Sequence, residues 1–434
     1  MSPRGYYCVL LCLFCCCGTR TQSVPQSQKP GPRRVATGKP HQIGELSQRA
    51  TRIVREIAEL RGWDPSLDVA LETAGNSRLA AAILADEESQ IDPTARQAGI
   101  EFLVSFGLVP EKFDFERDVT QRFSRDLQGL YSFTWRRILL AASRDYTTVE
   151  STLRHELVHA FQDKYYNIGD KVRWSEDQGD RIAAIHSLAE GEAICVVRQL
   201  EDPRHRGCLD TSSEDFEYWT LGKGLESLPP AIRYALLSPY VDGTRFVQHL
   251  LRQGGWQAVE YAWRGNLNST RELLHPGLSS SATMLAIEAP STVAALVSCH
   301  LEYLDVLGEQ GLSSVLFDHL DPGTGTQLAA GLISDRAGVW RCGGSYAVAW
   351  RMQLNLPKHA SRVASVIAAS LTPPLWPLAK SPTCGQTRNG VTSLVVSGRD
   401  IAITSVHKCI GENSWNATVS CQDALNWTKR LIGL

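Results

Sequence analysis

Neither sign of charge dominates this chain. Its 44 Lys and Arg stand against 46 Asp and Glu, a formal charge of -2, so neither a nucleic-acid backbone nor an anionic membrane is favoured as the main partner. There is no internal repeat, no heptad run and, past the first 18 residues, no further membrane segment. Solenoid, coiled-coil and many-span membrane architectures are thereby excluded. Seven cysteines follow residue 18 (Cys195, Cys208, Cys299, Cys342, Cys384, Cys409 and Cys421), and no CxxC spacing occurs among them, which argues against a structural zinc knuckle. What is present is an ordered globular composition, 43% apolar with 11 Trp, in a chain of 434 residues that has room for a main domain and an appended module.

The N-terminus breaks from the rest. Arg4 precedes an uncharged apolar run over residues 6–17, too short to span a bilayer comfortably and the right size for the core of a signal peptide, expected at 1–18. A polar linker over 19–44 follows, carrying Pro25, Pro30, Pro32 and Pro40. Export is the expected fate, to the outside or to the cell envelope. Cys15, Cys16 and Cys17 near the cleavage region raise a lipid-anchored N-terminus as an alternative, although Leu13 and Phe14 fit that signal poorly. In an oxidising compartment the seven later cysteines mostly pair, in a connectivity that spacing does not reveal and with one left over.

Apolar residues Ala50, Ile53, Ile57 and Leu60 recur at helical steps and stop near Gly62 and Pro65, which opens a domain expected to run over 45–375. A strand is expected at 68–72, helices at 77–89 and 94–106, and two strand pieces within 129–142. Thr147 or Thr148 caps a helix that runs uninterrupted over 149–165, and a second long helix covers 180–200. Residues 229–251, 256–263 and 291–307 read as further helical segments, and the Ser269/Glu272 spacing starts a short helix ending at His275. After Pro373, Pro374 and Pro377 the character changes: 392–396 and 400–406 read as a β-hairpin in a small Cys-containing β-rich tail, 376–434. The fold class is α+β and helix-rich.

The feature that carries chemistry is HELVH at 155–159, inside the uninterrupted helix. Residues four apart share one helix face with Cβ atoms about 5–6 Å apart, so His155 and His159 can present both imidazoles to one metal ion, with Zn2+ the natural occupant. Glu156 is placed to take a proton from a water attacking a carbonyl and to pass it to the leaving amine. Catalytic zinc has three protein ligands and an open position. Residues 160–169 (AFQDKYYNIG) lack the Gly and third His of the extended HExxHxxGxxH pattern, so the third ligand must come from elsewhere. Glu190 in LAEGEA leads, then His186 one turn before it, then Glu192, which lies about 200° round the helix from Glu190. Gly191 would let this helix approach the motif helix closely. Most helical glutamates are ordinary surface residues, the bland alternative for each. Asp163 reads equally as a partner of a ligand or a solvated carboxylate. Tyr240 and His275 are candidate donors to an oxyanion, against the ordinary reading of each as a satisfied core residue. If the strand at 138–142 lies at a sheet edge, it can bind an extended peptide.

With these residues in hand, the chain resembles exported bacterial zinc-metallopeptidase-like proteins of the gluzincin type. The resemblance covers most of 46–371 and rests on GLYSF, TLRHELVHAFQD, LAEGEA, SPYVDGTRFVQHLLRQGGW and STRELLHP. It implies a zincin-like domain, zinc-dependent hydrolysis of a peptide or protein substrate, and a third ligand at Glu190; an inactive binding protein of the envelope on the same fold is the alternative. Two positions depart from the pattern. Ile194 stands where a thermolysin-type Asp would follow the ligand Glu, and GLISDR at 331–336 lacks the Trp and second Gly of a Gly-Trp-x-Gly-Asp-Arg segment, which weakens any role carried over to Asp335 or Arg336.

Overall fold

The computed structural model describes residues 40–120, 127–142, 146–202, 207–208, 225–278, 283–290, 293, 296, 298–371, 375, 383–386, 390–409 and 419–434. The expected signal peptide with its Cys15–Cys17 run, all but the end of the linker, and the side chains of Thr147 and Thr148 lie outside them.

Helix α1 (Pro40–Arg61) stops where Gly62 takes a φ of 68°, a left-handed conformation that glycine adopts without a Cβ clash. Strand β1 (Ala70–Ala74) leads into α2 (Asn76–Gln90) and α3 (Pro93–Ser105), the latter capped by the Asp92 carboxylate, which accepts from the Thr94 and Ala95 amides. Strands β2 (Gly129–Ser132) and β3 (Arg137–Ala141) follow, then the motif helix α4 (Tyr146–Tyr166) and α5 (Gly179–Glu201). The first sheet has the order β1-β3-β2, with β1 parallel and β2 antiparallel to β3. The strand expected to offer a free edge is therefore its centre, paired on both sides. Peptide binding by edge pairing at 138–142 is excluded.

One core joins this sheet to α1 and α4: Ile53 and Ile57 pack with Ile138 and Leu140 and with Leu153, Leu157 and Phe161 of the motif helix. These are the positions that the three-and-four spacing of α1 and the period-two alternation of β3 place on single faces.

Helix α6 (Pro230–Tyr261) is broken at Gly254 and Gly255, where φ is -159° and 63°, so its two arms match the two helices expected at 229–251 and 256–263. The short helix α7 (Thr270–Leu274) begins as expected, with the Ser269 side chain accepting from the Glu272 amide. The expected helix at 291–307 is not found where the structure describes it: Cys299–Asp305 is strand β4, bonded along β5 (Leu332–Cys342), with a disulfide joining the facing pair Cys299 and Cys342. Pairing with a strand far along the chain overrides local helical preference here.

Helices α8 (Gly308–Leu316) and α9 (Pro322–Ala329) precede β5. Strand β6 (Ser345–Leu354), helix α10 (Pro357–Ser370), strands β7 (Thr383–Gln386), β8 (Gly390–Ser397) and β9 (Asp400–Lys408), and helix α11 (Cys421–Leu431) complete the chain. The hairpin expected at 392–406 is present as β8 and β9. It does not form an independent appendage: β9 pairs with β6, giving one antiparallel sheet of order β4-β5-β6-β9-β8-β7 that crosses the expected boundary at 375/376. Trp350, Met352, Ile401 and Ile403 pack beneath α10, and Ala347, Ala349 and Ala402 pack with Trp340 and Trp427 beneath α11. Both faces are buried, which is why β6 reads as almost continuously apolar.

Six of the seven cysteines after residue 18 pair, as Cys195–Cys208, Cys299–Cys342 and Cys384–Cys421, leaving Cys409 outside the three bridges. Such bridges are compatible with an extracellular location. Among the described residues no helix is long and apolar enough to cross a membrane.

Burial of Glu87 in α2 has a consequence for stability. Burial pushes its carboxyl up to about 8, against the opposing pull of Arg96, so the folded chain keeps a proton that the unfolded chain releases in the ordinary carboxylate range. This group's contribution to stability is complete at low pH and is lost as pH rises toward 8. Glu87→Gln, which cannot ionise, is expected to be more thermostable than the parent at pH 8 and nearly equal to it at pH 5. Equal melting differences at the two pH values would contradict a titrating Glu87.

Candidate metal centre

Helix α4 has no Gly or Pro, and its motif residues are buried: His155 is 0% exposed, Glu156 1% and His159 1%. The imidazoles stand edge to face with centroids 4.7 Å apart and Nε2 atoms 3.0 Å apart. Glu190 of α5 reaches between them, its Oε2 lying 3.1 Å from His155 Nε2 and 3.6 Å from His159 Nε2. These three side chains form a buried group able to hold a metal ion. His186, one turn before Glu190, places Nε2 3.3 Å from the other carboxylate oxygen, Oε1. It thus flanks Glu190 and adds no nitrogen to the three-residue group.

The electrostatics fit a cation site. Burial alone would push His159 below its ordinary range, but the Glu190 carboxylate, helped by Glu156 and Gln162, overrides this and holds it at about 9. Burial likewise opposes the charge on Glu190, yet His159, His155 and His186 keep its carboxyl well below the usual range. A proton and a metal ion would compete for this pocket, so a metal held here would bind more tightly as pH rises.

Glu156 is held from one side. Its Oε2 accepts a hydrogen bond from the Tyr131 backbone N–H at 2.7 Å, and its Oε1 is buried with no hydrogen-bond partner among the described residues. Tyr131 is in turn fixed through its hydroxyl, which donates to Asp163 Oδ2 at 2.9 Å. Asp163 therefore bonds the strand that holds Glu156; the described partner of His159 Nδ1 is Gln162, whose Oε1 is 2.8 Å away.

Glu192 faces away from the centre, as its angle round the helix requires. Arg61 Nε donates to its Oε1 at 2.7 Å, while Trp263 Nε1 and Gln162 Nε2 each donate to its Oε2 at 2.8 Å. Of the three candidates for the third ligand, only Glu190 joins both motif histidines. His275, at the end of α7, has Nε2 2.7 Å from Glu309 Oε1, and Tyr240 is buried on α6 one turn before Gly243. Asp335 and Arg336 serve the scaffold: Asp335 accepts from the Leu307 and Gly308 amides at the start of α8, and Arg336 pairs with Asp177.

Two residues that sequence reasoning missed shape the site. Gln162 stands three residues after His159, a spacing that shares a helix face and could have drawn attention to it. The Tyr131 amide carried no such signal, because the direction of a backbone N–H depends on the strand pairing.

Gly191 makes the close approach expected of it, but to α6. A Cβ added to Gly191 would fall 2.1 Å from the Gly243 carbonyl, and one added to Gly243 would fall 1.8 Å from the Ser187 carbonyl oxygen. Backbone meets backbone, so no side chain can turn aside. Gly243→Ala is expected to destabilise by more than the about 1–3 kcal/mol typical of overpacking, read from urea unfolding. A loss under about 0.5 kcal/mol, within the range of ordinary surface changes, would mean that the helices do not touch here.

No family model, curated protein or solved structure matches the chain.

Proposed function

We propose that the chain is a zinc-dependent, gluzincin-like peptidase in which His155, His159 and Glu190 hold the ion and Glu156 is the general base. The observation that carries this reading is the three converging ligand atoms together with the buried Glu156 Oε1, which has no hydrogen-bond partner among the described residues and belongs to the residue next to His155. Ligands at about 2.0–2.1 Å around tetrahedral zinc stand about 3.3 Å from one another. The separations of 3.0, 3.1 and 3.6 Å bracket that value.

A bound zinc ion supplies Lewis acidity for activating a water and polarising a carbonyl. The chain's own residues do the rest. The Tyr131 amide ties down one oxygen of Glu156 and leaves Oε1 to take the proton of the attacking water and return it to the leaving amine. His186 Nε2 lies 3.3 Å from Glu190 Oε1, while Oε2 faces the histidine pair. The substrate class is peptide or protein, and the three disulfides suit work outside the cytoplasm.

The near-complete burial of all four side chains favours a second reading, in which the same residues hold an ion that supports structure and hydrolyse nothing. Metal analysis and hydrolysis of an unstructured protein substrate decide between them. The peptidase reading expects about one zinc per chain and cleavage that a chelator abolishes and added Zn2+ restores. Bound zinc with no cleavage of any peptide in a broad library would establish the second reading, and a chain that takes up no metal would sink both.

A further inference from the structure

Gln162 touches three other residues around the centre, and each bond constrains the next. Its Nε2 lies 3.0 Å from the Ala189 carbonyl oxygen and 2.8 Å from Glu192 Oε2, and its Oε1 lies 2.8 Å from His159 Nδ1. A carbonyl and a carboxylate accept hydrogen bonds; a glutamine amide has two N–H donors and one acceptor oxygen. The amide nitrogen must therefore face Ala189 and Glu192, which turns the oxygen toward His159. That oxygen only accepts, so Nδ1 of His159 carries a hydrogen. In the neutral ring the lone pair is then left on Nε2, the atom that faces His155 Nε2 and Glu190 Oε2.

The far end of the row is fixed as well. Arg61, a donor without acceptors, lies with Nε 2.7 Å and Nη2 2.5 Å from Glu192 Oε1, and the Trp263 indole adds a third N–H. Arg61, Glu192 and Gln162 are all buried, so water does not scramble the order of donors and acceptors.

We propose that Arg61, Glu192 and Gln162 form a positioning relay that presets the tautomer of His159 and aims Nε2 at a divalent cation. This rests on reading the centre as a metal site, and assigns to Glu192 the holding of a ligand through an intervening amide.

The test uses the mature protein with Zn2+ as probe, its affinity measured by competition with a chromophoric chelator and the His159 Nδ1–H followed by NMR in the loaded form. Gln162→Met, similar in size but unable to accept or donate here, is expected to weaken Zn2+ binding about 10–100-fold, the usual cost of losing a partner behind a ligand. Its Nδ1 proton should lose protection from exchange. Gln162→Asn, too short to span the gap, should behave alike and serves if the first variant does not fold. Glu192→Gln should also weaken binding, because both Glu192 oxygens accept, one from Arg61 and the other from Trp263 and Gln162, and an amide must turn an N–H toward one of these donors. Zn2+ affinity within about twofold of the parent in the Gln162 variants, or in a folded Glu192→Gln, overturns the relay while leaving the metal site standing. A parent that binds no Zn2+ overturns both.

Discussion

Glu156→Gln is expected to keep its zinc and lose hydrolysis, by about 10²–10⁴ in kcat, the range that a positioned acid–base group contributes. The amide matches the carboxylate in shape and can still accept from the Tyr131 N–H through its oxygen, so the helix, the strand and the ligand group remain in place. What disappears is the ability to take a proton at the other position, where the parent has a buried oxygen without a hydrogen-bond partner. Metal content and turnover must be measured on the same preparation, since only the combination of full zinc and lost turnover speaks for a base. Turnover within tenfold of the parent would move the base elsewhere.

Glu190→Ala should do the reverse and empty the site. Glu190 reaches both motif histidines from α5, and its Oε2 is the oxygen they share. Removing it leaves two ligands, and the loss of Zn2+ affinity should exceed the about 10–100-fold expected for changes behind a ligand. The variant also loses a buried charge partner of His155, His159 and His186, so a melting curve must accompany the zinc titration. A folded variant that binds zinc like the parent would remove Glu190 from the site and return attention to His186.

The centre was readable in the sequence to the extent that helix spacing alone decides it. His155, Glu156 and His159 are fixed relative to one another by one turn of helix, and the angle between Glu190 and Glu192 says that only one of them can face the ion without saying which. What was not readable depends on other elements arriving from far along the chain. Arg61 meets Glu192 from 131 residues away and Trp263 meets it from 71, and nothing near LAEGEA announces either. Gly191 was correctly read as a contact residue yet assigned to the wrong helix, because a missing side chain says that something comes close and not what. Strand β4 was misread for the same reason: its hydrogen bonds run to β5 and its cysteine to Cys342, while its local composition also suits a helix. The tail is β-rich as its sequence implies but not separate, since a hairpin's sequence records its own turn and not the β6 edge against which it lies.

The relay also sets a schedule for the newly made chain. Arg61 at the end of α1 and Trp263 beyond α6 grip the same carboxylate, so the groups around His159 are drawn from a span of some two hundred residues. A chain emerging N-terminus first presents its histidine pair long before the tryptophan that completes the row. On the proposed reading, ordered capture of an ion would come late, after α6 docks on α5, and a nascent fragment ending before residue 263 would display the motif without the frame that aims it.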